Sequence, residues 1–171
     1  TGLWPQAHGT WSPHSVLPES AVTLAELLRE AGYRTAAVST NGHVTARHGF
    51  AQGFDDFHFL VQGEQQVERV VDWTGDWLDR RSSEGDERPF FLYLHTIDPH
   101  GPYAAPRAWR ERFAPESLRE DPKALLGRAE AAAGAERERL VALLRPLYDA
   151  EVAYNDAGFG ALLALLERRG L

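Results

Sequence analysis

Pro89-Phe-Phe-Leu-Tyr-Leu-His-Thr-Ile-Asp-Pro-His-Gly-Pro-Tyr103 is the stretch that decides the fold. Phe90 to Leu94 is an unbroken apolar and aromatic run, and Pro99, Gly101 and Pro102 stop regular structure soon after it. A continuous apolar run bounded by turn formers reads as a strand buried on both faces. Three protonatable groups, His95, Asp98 and His100, stand at or just past its end. In open α/β sheets, ligands collect outside the carboxyl ends of the strands. One short stretch therefore predicts both a strand at 90–95 and a site.

The flanking sequence supplies its partners. Thr23 followed by Glu26 predicts a capping box, and Leu24, Leu27 and Leu28 the apolar stripe of a helix ending at Gly32. Residues 34–40 then read as a short strand broken by Asn41-Gly42. Residues 54–60 alternate weakly, as a short strand or an extended loop. A helix is expected over about 64–81, with Val67, Val70, Val71, Trp73, Trp77 and Leu78 towards the core. Helix, strand, helix, strand argues for parallel strands with helical crossovers, an α/β fold. Parallel strands end on the same side, so Asn41 to His43 and His95 to His100 are expected along one sheet edge.

The rest of the chain is less patterned. Residues 1–19, rich in Gly, Pro, His and Trp, read as an ordered loop. Residues 107–145 shift to Ala, Glu, Arg and Leu and read as a solvated helical excursion within one domain spanning 1–171. Pro146 is expected to restart a helix whose packed stripe is Tyr148, Val152, Asn155, Phe159, Leu162, Leu163 and Leu166, ending at Gly170.

Composition narrows the function. A chain of 171 residues, 43% hydrophobic, suits one domain with a real core. The net charge of −7, with no basic patch interleaved with aromatics, argues against nucleic acid as a partner. No apolar run reaches the ~20 residues needed to span a bilayer. The chain has no cysteine, which removes disulfides and thiol chemistry. It has no methionine and begins at Thr1, which reads as an excerpt from a longer protein or a processed piece.

Among residues that could carry chemistry, His43 follows a strand in the loop Asn41-Gly-His-Val-Thr-Ala-Arg-His48. Imidazole there could hold an anion or move a proton. Asp98, His95 and His100 allow two readings: ligands to a metal, or recognition of a sulfate or phosphate oxygen by imidazolium. Asp-Pro-His-Gly-Pro is an expensive sequence for a plain turn, which favours function for His100; His95, still on the strand, is equally a core histidine. His8 reads as a loop-holding residue, and His14, His48 and His58 have no supporting neighbours in sequence. No Gly-x-Ser-x-Gly elbow, P-loop or Gly-x-Gly-x-x-Gly is present.

Four further segments carry a family resemblance. They are Thr1-Gly-Leu-Trp-Pro-Gln-Ala-His-Gly9, Leu17 to Ala36, Phe50-Ala-Gln-Gly-Phe-Asp-Asp-Phe57 and Tyr148-Asp-Ala-Glu-Val-Ala-Tyr-Asn-Asp156. Together with Pro89 to Tyr103, they make the chain resemble the sulfatases of the alkaline phosphatase superfamily. The resemblance covers the chain except about 107–145. It implies a three-layer α/β sandwich, seen in part, and metal-dependent cleavage of small-molecule or glycan sulfate esters. By position, His100 matches the histidine on the sulfate or phosphate oxygens, and His43 the loop histidine that helps hold nucleophile and substrate. Asn41 stands where many relatives carry lysine, and with Asp98 and His100 it joins the expected substrate-binding set.

The resemblance also implies parts that these residues do not supply. A formylglycine nucleophile motif would end shortly before Thr1. The ligands of a divalent cation, calcium first, would flank the chain on both sides, so no metal ligand is assigned within it. The isolated chain is then expected to be inactive. Family habit implies a periplasmic or extracellular parent, with membrane association of the parent left open and no oligomeric state indicated. A phosphodiesterase, or a phosphoethanolamine or phosphoglycerol transferase, is the nearest alternative, which Asn41 in place of lysine keeps open. A non-catalytic binding module and an independent His/Asp metal protein are the alternatives from other classes.

Overall fold

Local signals set the first elements. In the computed structural model, which describes residues 1–61, 66–117 and 119–171, Pro5–His8 forms a single helical turn, α1, inside the stretch expected to be loop. Proline at the first helical position loses no hydrogen bond there. Thr23 caps α2, Leu24–Glu30. The capping box forms as expected: Glu26 N–H donates to Thr23 Oγ1 at 3.1 Å, and Thr23 N–H to Glu26 Oε2 at 2.8 Å. The apolar stripe of α2 is not the expected one. Leu24 and Leu27 are more than half exposed, and Ala25 is buried. The reason is Gly53, whose Cα packs on the backbone of Ala25 and Glu26 and makes that side of α2 the inner one.

The sheet follows. β1 is Arg34–Ser39, β2 is Asp56–Phe59 and β3 is Phe90–His95, in the order β2-β1-β3 with both pairings parallel. Residues 54–60 therefore contain a strand. β1, not β3, is the strand buried on both faces: Ala36, Ala37 and Val38 are fully inaccessible. β3 is only partly buried because, among the described strands, it has a neighbour on one side alone. Small residues in β1 let both faces of the sheet be covered closely.

α3, Val67–Ser83, covers one face. The expected helix start at 64–65 falls outside the described residues. Val38, Leu60 and Val70 form a buried cluster with Trp73 and Leu94 against it. Trp77 anchors the far end. Its Nε1–H and the Arg34 guanidinium both donate to Asp56 Oδ2, at 2.9 and 2.8 Å, tying α3, β1 and β2 at one atom. Burial would raise the Asp56 pKa, but these two donors outweigh it and hold the carboxyl below its ordinary value.

Residues divide into two compact units, Thr1–Ile97 and Asp98–Leu171. The second is helical: α4 is Arg107–Phe113, α5 is Pro122–Ala131 and α6 is Gly134–Glu167, with a 3₁₀ turn at Pro115–Ser117. The stretch expected to be a wet excursion has its own core of Ala114, Leu125, Ala129, Leu140, Leu144 and Leu147. Pro146 does not restart a helix. It lies within α6, which continues because Leu140, Leu144, Leu147 and Ala150 are buried on both sides of it. The expected stripe of α6 is also rotated. Tyr148, Val152, Phe159 and Leu163 are exposed, while Leu147, Ala150, Glu151, Tyr154 and Gly158 face inward. Small residues at 150 and 158 give that face the closer approach.

Gly53 has φ +86°, and a Cβ there would lie 2.3 Å from the backbone nitrogen of Glu26. Gly32 has φ +88°, and a Cβ there would meet nothing within 4 Å among the described residues. Gly53→Ala should therefore cost about 2–4 kcal/mol from strain plus clash. Gly32→Ala should cost about 1 kcal/mol. Denaturant midpoints of the two variants check this; equal losses would mean that the Gly53–α2 contact is not made.

Candidate functional site

The carboxyl ends of β1 and β3 come together as the parallel pairing requires. Ser39 pairs with His95, and one residue on, Thr40 N–H donates to the His95 carbonyl at 2.9 Å. Thr40 is fully buried, and its Oγ1 accepts the Ile97 N–H at 2.7 Å. This places Asn41 beside the His95 ring.

Asn41 works in two directions. Its Oδ1 accepts the His43 N–H at 2.9 Å, shaping the turn that presents His43 to solvent. That bond directs Nδ2 towards His95 Nε2, at a long 3.4 Å. An amide N–H₂ only donates, so Nε2 accepts and the ring proton sits on Nδ1. Nδ1–H then donates to the Tyr93 hydroxyl oxygen at 2.9 Å, leaving the Tyr93 O–H hydrogen for another partner. Burial holds His95 below its ordinary 6.5 and pushes Tyr93 up, so both are neutral near pH 7.

His43 also has a histidine neighbour. The 3₁₀ turn Ala46–His48 brings the buried His48 ring to 6.2 Å from the His43 ring, with Thr45 Oγ1 at 2.9 Å from His48 Nδ1. His8, His43, His48 and Tyr93 line a cavity of about 580 Å³ in the first unit, floored by Phe57 and Phe91 on the sheet face opposite α3. His8 hydrogen-bonds through Nδ1 to Thr10, in keeping with a loop-holding role. His58 stacks on Trp73 at 6.0 Å and has a packing role.

Asp98 and His100 belong to the second unit. The loop from Asp98 to Ala105 contains cis bonds at Asp98–Pro99 and Gly101–Pro102. His100 is exposed, and its Nδ1 lies 2.8 Å from the Gly101 carbonyl oxygen. A carbonyl only accepts, so Nδ1 carries a proton and Nε2 points away from this bond. Asn155 Nδ2 donates to the Asp98 carbonyl at 3.4 Å. Glu151, 4% exposed, accepts the backbone N–H groups of Ala104 and Ala105.

The sequence-predicted residues thus fall into two sets, Asn41, His43 and His95 in one unit and Asp98 and His100 in the other. Sequence reasoning missed Tyr93, Thr40 and Glu151. Tyr93 and Thr40 carry no signal beyond strand propensity. Glu151 does carry one, a carboxylate in the buried row Leu147, Ala150, Tyr154, Gly158, visible once that row is chosen. Among the described residues no group of three or more His, Asp or Glu side chains could hold a metal ion. These side chains alone do not make the donor set of a divalent cation. No helix among the described residues is long and apolar enough to cross a membrane.

The sulfatase family model matches residues 1–171. The chain belongs to the sulfatase family. Its fold is that of solved relatives. BT4656, solved in complex with its substrate D-glucosamine-2-N,6-O-disulfate, is 16% identical with a TM-score of 0.72, over 99% of this chain and 51% of that one. Ps i-CgsB is 19% identical with a TM-score of 0.59, over 92% and 39%. A Vibrio parahaemolyticus protein of the alkaline phosphatase superfamily is 17% identical with a TM-score of 0.51, over 93% and 34%. The α/β sheet with flanking helices is shared with all three, and this sulfatase chain spans about half or less of their lengths.

The Asn41–His95 contact can be tested by titration. Asn41→Asp puts a carboxylate against Nε2 and should raise the His95 pKa, read from its imidazole NMR signals. An unchanged titration would contradict the contact. In the native chain, His95 below 6.5 means that the folded state binds fewer protons than the unfolded one. Its contribution is full above 6.5 and is lost as pH falls through the lowered pKa.

Proposed function

We propose that this chain is the anion-holding part of a sulfatase that hydrolyses sulfate esters, with His43 and His100 as its catalytic histidines. The observation that carries the reading is the sulfatase match along the whole chain. The site geometry supports it. Imidazole Nδ1 of His100 is committed to a carbonyl, so Nε2 is the atom left for a ligand. As imidazolium, it donates Nε2–H to a nonbridging or leaving-group oxygen of the sulfate ester. His43, held out by the Asn41 turn, is the second donor. Asn41 sets the His43 backbone and the His95 tautomer, and Asp98 opens the loop that carries His100.

The reaction is in-line displacement at sulfur. The S–O bond to the leaving alcohol breaks as the nucleophile's S–O bond forms. Negative charge grows on the leaving oxygen, and a positioned donor there is worth about 2–4 kcal/mol. The formylglycine nucleophile and the divalent cation, calcium first, are proposed to be supplied by other parts of the whole protein. The substrate class proposed is a small-molecule or glycan sulfate ester, in line with the sulfated sugar bound by BT4656. The proposed location is periplasmic or extracellular.

Asn41 in place of lysine favours a second reading, a phosphodiesterase or phosphoryl-group transferase of the same superfamily. Assay of the whole protein with matched aryl sulfates and aryl phosphodiesters decides between them. The sulfatase reading predicts the higher kcat/KM on sulfate, and His100→Ala should lower kcat ~10²–10³-fold. The 171-residue chain alone should show no turnover. Preference for the phosphodiester, or full activity of His100→Ala, would overturn the reading.

A further inference from the structure

Glu151 needs a reason to be where it is. A carboxyl group inside a helix packing face is costly unless hydrogen bonds compensate it. Glu151 is 4% exposed between Ala150 and Tyr154 on the inner side of α6. Its carboxyl accepts the backbone N–H groups of Ala104 and Ala105. Those residues end the loop that starts at Asp98 and carries His100. Asn155, one turn along the same helix, donates to the Asp98 carbonyl at 3.4 Å. Both ends of the loop are thus tied to one face of α6. Between them Tyr103 has φ 59°, a left-handed conformation that a non-glycine residue holds only under outside constraint.

We propose that Glu151 is a positioning residue, which fixes the His100 loop to α6 by accepting the N–H groups of Ala104 and Ala105. It meets no reacting atom; it acts on His100 through the backbone between them. The functional meaning rests on His100 being an anion donor, whereas the attachment itself does not.

The attachment has a built-in pH dependence. Asp98 from the loop and Arg110 from α4 are the charged groups that act on Glu151. Burial first, and then the Asp98 charge, push its carboxyl up from the ordinary 4.5 to about 7, against the pull of the two N–H groups and Arg110. The docked loop therefore binds a proton that the released loop does not, between about 4.5 and about 7. Attachment is strongest below 4.5 and weakens as pH rises through 7, by up to ~10²–10³-fold if the whole shift comes from docking.

Amide hydrogen exchange by NMR on the full 171-residue chain tests this. Protection at Ala104 and Ala105, corrected for intrinsic exchange, should fall by up to ~70-fold from pH 5 to pH 8. Glu151→Gln keeps an acceptor oxygen without a titrating charge and should make that profile flat. Glu151→Ala should abolish protection at both amides at every pH and move the His100 ring signals towards those of free histidine. Leu125 and Leu147 should stay protected, reporting a folded unit. Unchanged Ala104 and Ala105 protection in Glu151→Ala would overturn the proposal, as would a pH-independent native profile. If Glu151→Ala fails to fold, Glu151→Gln decides: a flat profile supports the proposal and a native slope overturns it. These readouts involve no sulfate ester. A normal latch with a fully active His100→Ala whole protein would sink the anion reading and leave the latch standing.

Discussion

The structure of the first unit depends on the parallel ladder between β1 and β3 and on how Thr40 closes it. Thr40 donates its N–H to the His95 carbonyl and accepts the Ile97 N–H on its hydroxyl. Each such bond is worth only about 1 kcal/mol net, but both are buried at the last rung and fix the register. A slip of one residue would turn every side chain to the opposite face. Val38 would leave the α3 cluster, and Asn41 would no longer meet His95. The sheet of the first unit and the Asn41–His95 contact are thus set by one pairing.

The same logic explains what the sequence showed. The 90–95 run, the Thr23–Glu26 box and the alternation of helix and strand are short-range patterns, and their elements formed. The parallel arrangement follows from crossover connections, and it brought Asn41 and His95 together over a separation of 54 residues. Where expectation failed, the deciding contact was distant in sequence. Gly53 chose the inner side of α2. Burial on both sides of Pro146 kept α6 continuous. Small residues at Ala150 and Gly158 turned α6 by about one position from the stripe that hydrophobicity alone suggests.

That rotation had a cost for reading the site. With Tyr148, Val152 and Phe159 taken as the inner row, Glu151 looks like a solvated charge. With Leu147, Ala150 and Tyr154 inside, it becomes a buried carboxyl under the loop that carries His100. Histidines were legible as candidates because Asp-Pro-His-Gly-Pro and Asn-Gly-His are costly local sequences. Their supports, Tyr93, Thr40 and Glu151, were not, because tertiary contacts give them their roles. His95 and Glu151 also titrate in opposite senses. Burial lowers His95 and raises Glu151, so acid weakens the first unit's rim while alkali weakens the second unit's loop.

His43 and His100 are proposed to be the residues with which the whole protein meets the anionic group of the ester. The most direct measurement is a crystal structure of the whole protein with a sulfate ester, or sulfate itself, in the site. A ring nitrogen of each histidine is expected within about 3.2 Å of a sulfate oxygen, with His100 using Nε2. A bound sulfate group that neither histidine reaches would contradict it.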